Sequence, residues 1–151
     1  MEEEKIAQRL FTYNLIFKEN DDIYHNAAKK LGLSDSAFWI LYTLREMTSS
    51  PTQSQLSNMQ FFPKQTIHSA LKKLESEGYV ELLSGSNHKN KQLHLTQKGE
   101  ELVCQTIDLV LQAEKKTWAA FCDEEQEAFL RLFRQYTDAL HQNMKALLPP
   151  E

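Results

Sequence analysis

The hydrophobic period of this chain changes twice within one short stretch, and few folds accommodate that. Thr52-Gln53-Ser54-Gln55 has capping-box spacing, so the Thr52 hydroxyl and the Gln55 side chain can satisfy each other's backbone amides at a helix start. That helix ends near Met59. Only Gln60, Phe61 and Phe62 separate it from Pro63, whose fixed φ and missing N–H suit a first helical position. The second helix, residues 63–77, places Ile67, Leu71 and Leu74 on one face and stops at Gly78. The period then becomes alternating. Residues 79–83 and 92–96 read as strands, joined by a polar tip at 84–91 that contains Ser84-Gly85-Ser86-Asn87. Two short helices with a tight connection outline a helix-turn-helix, and the hairpin behind them outlines a wing.

The flanks are helical. Glycine and proline number four each, too few for a chain of many tight turns. Residues 3–31 carry Ile6, Leu10, Tyr13, Phe17, Ala27, Ala28 and Leu31 at helical spacing, with Gly32 as the stop and Asn20-Asp21-Asp22 as an expected bend or interruption. Ser34 is positioned to cap a helix over 34–47. After the hairpin, one helix is expected from Thr96 to about Phe121. A last one opens at Asp123-Glu124-Glu125-Gln126, again with capping-box spacing. It carries Phe129, Phe133, Tyr136, Leu140, Met144 and Leu147 and ends at Pro149-Pro150. The expected fold is mainly α with a small β-hairpin wing: a winged helix-turn-helix with long terminal helices that join two subunits. It forms a single domain over 1–151, with a DNA-binding lobe at 34–99 and dimerisation helices at 1–31 and 100–148.

The formal charge is −4, but it is unevenly spread. Residues 51–98 hold six of the 17 basic side chains (Lys64, Lys72, Lys73, Lys89, Lys91, Lys98) and three of the 21 acidic ones. Such asymmetry lets one face approach phosphates while the rest repels them. The helix at 63–77 is the candidate for the major groove. Its first turns present Lys64, Gln65, Thr66, His68 and Ser69. Gln65 can bond adenine bidentately, Lys64 can reach guanine or phosphate, and Thr66 and Ser69 can hold phosphates. Lys72 and Lys73 suit backbone contact. His88, Lys89 and Lys91 on the hairpin tip suit the minor groove. Thr52, Gln53 and Pro63 complete the expected DNA-binding set. A two-fold dimer would match half-sites of pseudo-palindromic duplex DNA.

Other classes find little support. The N-terminus MEEEKIAQRL is acidic and lacks an apolar signal core, and no window has the length of a membrane span; a soluble cytoplasmic protein is expected, with no membrane partner. Cys104 and Cys122 read as packing residues rather than a disulfide or a redox pair. His25, His68, His88, His94 and His141 are scattered without metal-ligand spacing. No phosphate loop or nucleophile elbow suggests an enzyme, and no cofactor is called for.

Specific strings resemble the MarR family of bacterial transcription regulators. PTQSQLSNM is similar to the family's first helix-turn-helix segment, PKQTIHSALKKLESEGYV to its recognition helix and first wing strand, and NHKNKQLHLTQKGEELV to the second wing strand and the helix after it. The run from Ala70 to Gly78, with Leu95-Thr96 and Gly99, is the specific part. The resemblance spans essentially the whole chain. It implies a homodimer joined through terminal helices, a repressor role, and release from DNA by a small aromatic ligand. Tyr13, Phe17, Phe38, Trp39 and Tyr42 are the side chains that could line such a pocket, although aromatics of this kind more often belong to a core. The wing departs from the family pattern. Asn87-His88-Lys89 stands where an Asp-Arg-Arg-like motif is common, and Leu82-Leu83 where an Arg pair often follows the first strand. A winged-helix module that binds protein without sequence-specific DNA recognition is the alternative this departure leaves open.

Overall fold

A computed structural model describes residues 1–84 and 91–150. The elements in chain order are α1 (Glu2–Lys30), α2 (Asp35–Glu46), α3 (Gln53–Met59), α4 (Lys64–Ser76), β1 (Val80–Ser84), β2 (Lys91–Leu95), α5 (Gln97–Gln105), α6 (Ile107–Ala119) and α7 (Asp123–Met144). They fall into two compact units, Met1–Val110 and Leu111–Glu151.

In the first unit, α1 runs through Asn20-Asp21-Asp22 without a break, against the expectation. These polar side chains reinforce the helix instead. The Asn20 amide donates back to the Ile16 carbonyl at 3.0 Å, and Lys18 pairs with Asp22 one turn on at 3.3 Å. The helix ends as Gly32 predicts. Gly32 adopts φ +76°, its N–H bonds the Lys29 carbonyl, and the Leu33 N–H bonds the Ala28 carbonyl, which is a Schellman closure. Ser34 then caps α2 by accepting from the Ala37 amide at 3.2 Å. Thr52 caps α3 with both arms of the capping box, at 3.2 and 2.9 Å. A second Schellman closure at Gly78, φ +82°, turns α4 into the hairpin, with the Tyr79 N–H bonded to the Leu74 carbonyl at 2.9 Å.

The hairpin is antiparallel, in a register that runs from Val80↔Leu95 to Ser84↔Lys91. Val80, Leu82, Leu93 and Leu95 therefore share one face, and Val80 and Leu93 are buried. One connection was not expected. The Leu93 N–H bonds the Pro51 carbonyl at 2.8 Å and Thr52 bridges Gln92, so the entry to α3 is stitched to the wing. The core of this unit gathers Phe38, Ile40 and Leu41 from α2, Leu56 from α3, Ile67, Leu71 and Leu74 from α4, the hairpin face, and Val103 and Ile107. Each such side chain contributes about 1.5–3 kcal/mol by leaving water.

The helix expected from Thr96 to about Phe121 is two helices. Thr106 separates them with φ −128° and ψ −81°. Its buried hydroxyl donates to the Leu102 carbonyl at 2.7 Å, while its amide turns to the nearer Val103 carbonyl at 3.2 Å. The side chain thus competes for the backbone acceptor and breaks the ladder. Val103 and Ile107 flank the break at helical spacing, so apolar periodicity alone reads straight through it. Arg45 of α2 spans the break. It donates to Asp108 at 2.8 and 2.7 Å and to Glu100 at 2.7 Å. The Asp108 hydrogen bonds hold the guanidinium above its ordinary pKa, partly offset by burial.

In the second unit, Cys122 caps α7, and the Glu125 carboxylate accepts from the Cys122 amide at 2.9 Å. The Gln126 amide donates to the Trp118 and Phe121 carbonyls, both at 2.9 Å, closing the end of α6. Trp118 meets Phe129 edge-on at 5.5 Å. No residue of α7 is buried.

Candidate nucleic-acid interface

The helix-turn-helix is α3 and α4. Pro63 does not open α4 from within, as the sequence suggests. It is the N-cap, with φ −56° and an extended ψ of 146°, and its carbonyl accepts the first helical bond from Ile67 at 3.2 Å. The extended ψ keeps the proline outside the helix while its carbonyl still starts the ladder. Burial of Ile67, Leu71 and Leu74 sets the helix rotation. Lys64, Gln65, Thr66, Ser69 and Lys72 are left exposed. All five were expected at the interface, and one helix now presents them together.

Three other expected contacts are engaged within the fold. Thr52 uses its hydroxyl in the α3 cap. The Gln53 amide and the His68 ring nitrogen Nδ1 lie 2.8 Å apart, which fixes α3 against α4. Both side chains border an open groove of about 440 Å³ together with Ser54, Ser57, Lys64 and Gln65. Ser54 and Ser57 escaped the sequence reading. Their spacing from Gln53 on α3 was the available signal, but a short polar helix offers no periodicity strong enough to orient it.

The basic surplus is partly committed. Lys98 donates to the Glu77 carbonyl at 2.7 Å and sits 4.7 Å over the Tyr79 ring. Lys73 pairs with Glu77 at 3.9 Å, exposed to solvent. Lys91 is exposed at the first position of β2, opposite Ser84. His88 and Lys89 lie outside the described residues. The turn between α3 and α4 is anchored. Gln60 donates to the Thr43 hydroxyl at 2.9 Å and Phe62 is half-buried, while Phe61 between them is fully exposed.

The expected ligand-lining aromatics sit in two kinds of surroundings. Tyr13 and Phe17 face each other on α1 at 6.2 Å, and Phe17 is exposed. Trp39 contacts Phe38 at 5.0 Å and Tyr42 at 5.2 Å, and also Tyr24 at 5.1 Å, a member the sequence reading missed. Phe38 is completely buried and belongs to the core; Trp39 and Tyr42 are half-buried. A separate open cavity of about 530 Å³ flanks α4, bordered by Leu33, Ala37, Gln65, Ser69 and Tyr79, and none of the five aromatics lines it. Among the described residues, no cluster of His, Cys, Asp and Glu could hold a metal, and no helix is long and apolar enough to cross a membrane.

A MarR family model matches residues 31–89, which cover α2, the helix-turn-helix and the first wing strand. The chain is also 32% identical over 106 residues to the HTH-type transcriptional regulator YwoH of Bacillus subtilis (strain 168), covering 70% of this chain and 76% of that protein. This chain belongs to the MarR family of transcription regulators. Solved structures agree on the fold. NMB1585, a MarR family regulator from Neisseria meningitidis, superposes with a TM-score of 0.77 at 19% identity, over 93% of this chain and 99% of that one. The MarR family transcription regulator SP03579 gives a TM-score of 0.74 at 16% identity, over 95% of each. An S. aureus MepR mutant bound to an oligodeoxyribonucleotide gives 0.53 at 16% identity, over 87% of this chain and 97% of that one. Within this MarR chain, α3 and α4 form the helix-turn-helix and the hairpin forms the wing.

Proposed function

We propose that this MarR-family regulator binds pseudo-palindromic operator DNA as a cytoplasmic homodimer, that it represses transcription, and that a small aromatic ligand releases it. The observation that carries the reading is α4. An apolar face locked into the core leaves Lys64, Gln65, Thr66, Ser69 and Lys72 exposed, as a helix that enters a major groove by its N-terminal end requires. The lobe at 34–99 does the reading, and the helices at 1–31 and 100–148 join the subunits. The half-buried pair Trp39 and Tyr42 offers the aromatic surface a ligand would stack on.

The test is a gel shift with the chain's own upstream region across a salt series. Phosphate contacts release counterions, so about three lysine contacts per subunit weaken binding roughly a thousandfold between about 50 and 200 mM salt. No shift at low salt would remove the proposal. Gln65→Ala relaxes preference at one base position by about 1–3 kcal/mol, whereas Lys72→Ala weakens all duplexes alike and lowers the salt slope by about 1. Equal losses on every sequence for both variants would refute that division. Adding an aromatic acid such as benzoate to the shifted complex checks release.

A further inference from the structure

We infer that Phe61 is a specificity determinant that reads the 5-methyl group of a thymine beside the bases read by α4. The inference rests on the DNA-binding reading above. Phe61 lies in the turn that leads directly into the N-terminal end of α4, ahead of Pro63 and Lys64. That end of a recognition helix is the part that meets base edges. Its neighbours on both sides are held. Gln60 is pinned through its amide to the Thr43 hydroxyl at 2.9 Å, Phe62 is half-buried, and Pro63 has a fixed φ. The turn therefore cannot fold Phe61 back into the core without giving up these anchors. The ring stands fully exposed, with Met59 also half out of the surface.

A phenyl ring carries no hydrogen-bonding group, so it cannot bond phosphates or read donor and acceptor patterns. In the major groove the one apolar group on a base edge is the thymine methyl, which an aromatic side chain can cover. Covering it removes apolar surface from water on both partners. Thymine recognition by Phe61 would sit beside the polar contacts of Lys64 and Gln65 and add a requirement they cannot impose.

The experiment uses duplexes recovered by the full-length native chain from a randomised pool. Each is remade with deoxyuridine in place of thymidine, which deletes the methyl and keeps the hydrogen-bonding edge. Binding of the native chain falls about fourfold per half-site on the substituted duplex, the value of one buried methyl. Phe61→Ala binds the thymidine duplex about fourfold more weakly per half-site and no longer distinguishes the two duplexes. Phe61→Leu keeps most of the discrimination. A native chain indifferent to the methyl, or a Phe61→Ala variant that keeps the native ratio, overturns the inference while leaving the DNA-binding reading in place. Failure of the native chain to bind any duplex in the pool overturns both.

Discussion

Gly99 stands at the third position of α5, where glycine would ordinarily weaken a helix. A Cβ there would lie 2.0 Å from the Tyr79 carbonyl oxygen and 3.3 Å from Leu95 Cδ2. That carbonyl accepts from the Thr96 amide at 3.1 Å, and Thr96 in turn caps α5 through the Gly99 amide at 3.0 Å. The helix start and the end of the hairpin are thus in backbone contact, and only glycine fits. Gly99→Ala forces them apart and costs about 1–3 kcal/mol or more, to be read as a lower urea midpoint with unchanged slope. An unshifted midpoint would show that the contact relaxes freely. Little of this was legible beforehand, because the atom that excludes a side chain lies twenty positions away in sequence. Gln53 and His68 teach the same lesson. Both look like base readers in a polar helix-turn-helix, but the fold brings them within 2.8 Å of each other, on adjacent helices.

At the scale of elements, helix starts were legible and helix continuity was not. Ser34, Thr52 and Thr96 each cap the helix that follows, because a capping hydroxyl acts on amides only two or three positions ahead. The break at Thr106 depends on which carbonyl one hydroxyl chooses, and a threonine within an apolar pattern gives no warning of it. The start of α7 carries a titratable signature. Its own backbone amide and then Cys122 hold the Glu124 carboxyl below the ordinary glutamate range. A carboxylate with a depressed native pKa adds stability above its unfolded pKa and loses it as pH falls through the native one. The margin of the native chain over Glu124→Gln is therefore small but present at neutral pH, and it closes on acidification past about pH 4. Thermal melts at stepped pH measure that margin; one that widens in acid would contradict the assignment.

At the scale of the molecule, both terminal regions expose apolar surface. Along α1, Phe11 and Phe17 are 65% and 61% exposed, and Ile6, Leu10, Leu15, Ile16 and Ile23 are also open to solvent. Along α7, Phe129, Leu130, Leu132 and Phe133 are at least 49% exposed. Isolated monomers rarely leave so many large apolar side chains in water along two helices. The proposed dimer covers them, and its symmetry sets two copies of α4 against two half-sites. Sedimentation at micromolar concentration should give twice the 17.6 kDa chain mass for the native protein. Phe133→Glu, which places a charge on the proposed interface, should shift the chain toward monomer and weaken operator binding with it. A native chain that sediments as a monomer would remove the dimer.

Apart from the break at Thr106, the order of elements came from the sequence alone, since helical and alternating periods, caps and the two stop glycines all act over a few residues. The same is true of which face of α4 is core and which is exposed, because Ile67, Leu71 and Leu74 can be buried together in only one rotation. The tertiary structure alone decided which polar groups remain available to a partner. It tied His68 to Gln53, placed Lys98 over Tyr79, stitched Pro51 to Leu93 and left Phe61 outside. Local rules set the conformation of a residue. The partner of its side chain is set by whatever distant segment the core packing brings within a few ångströms.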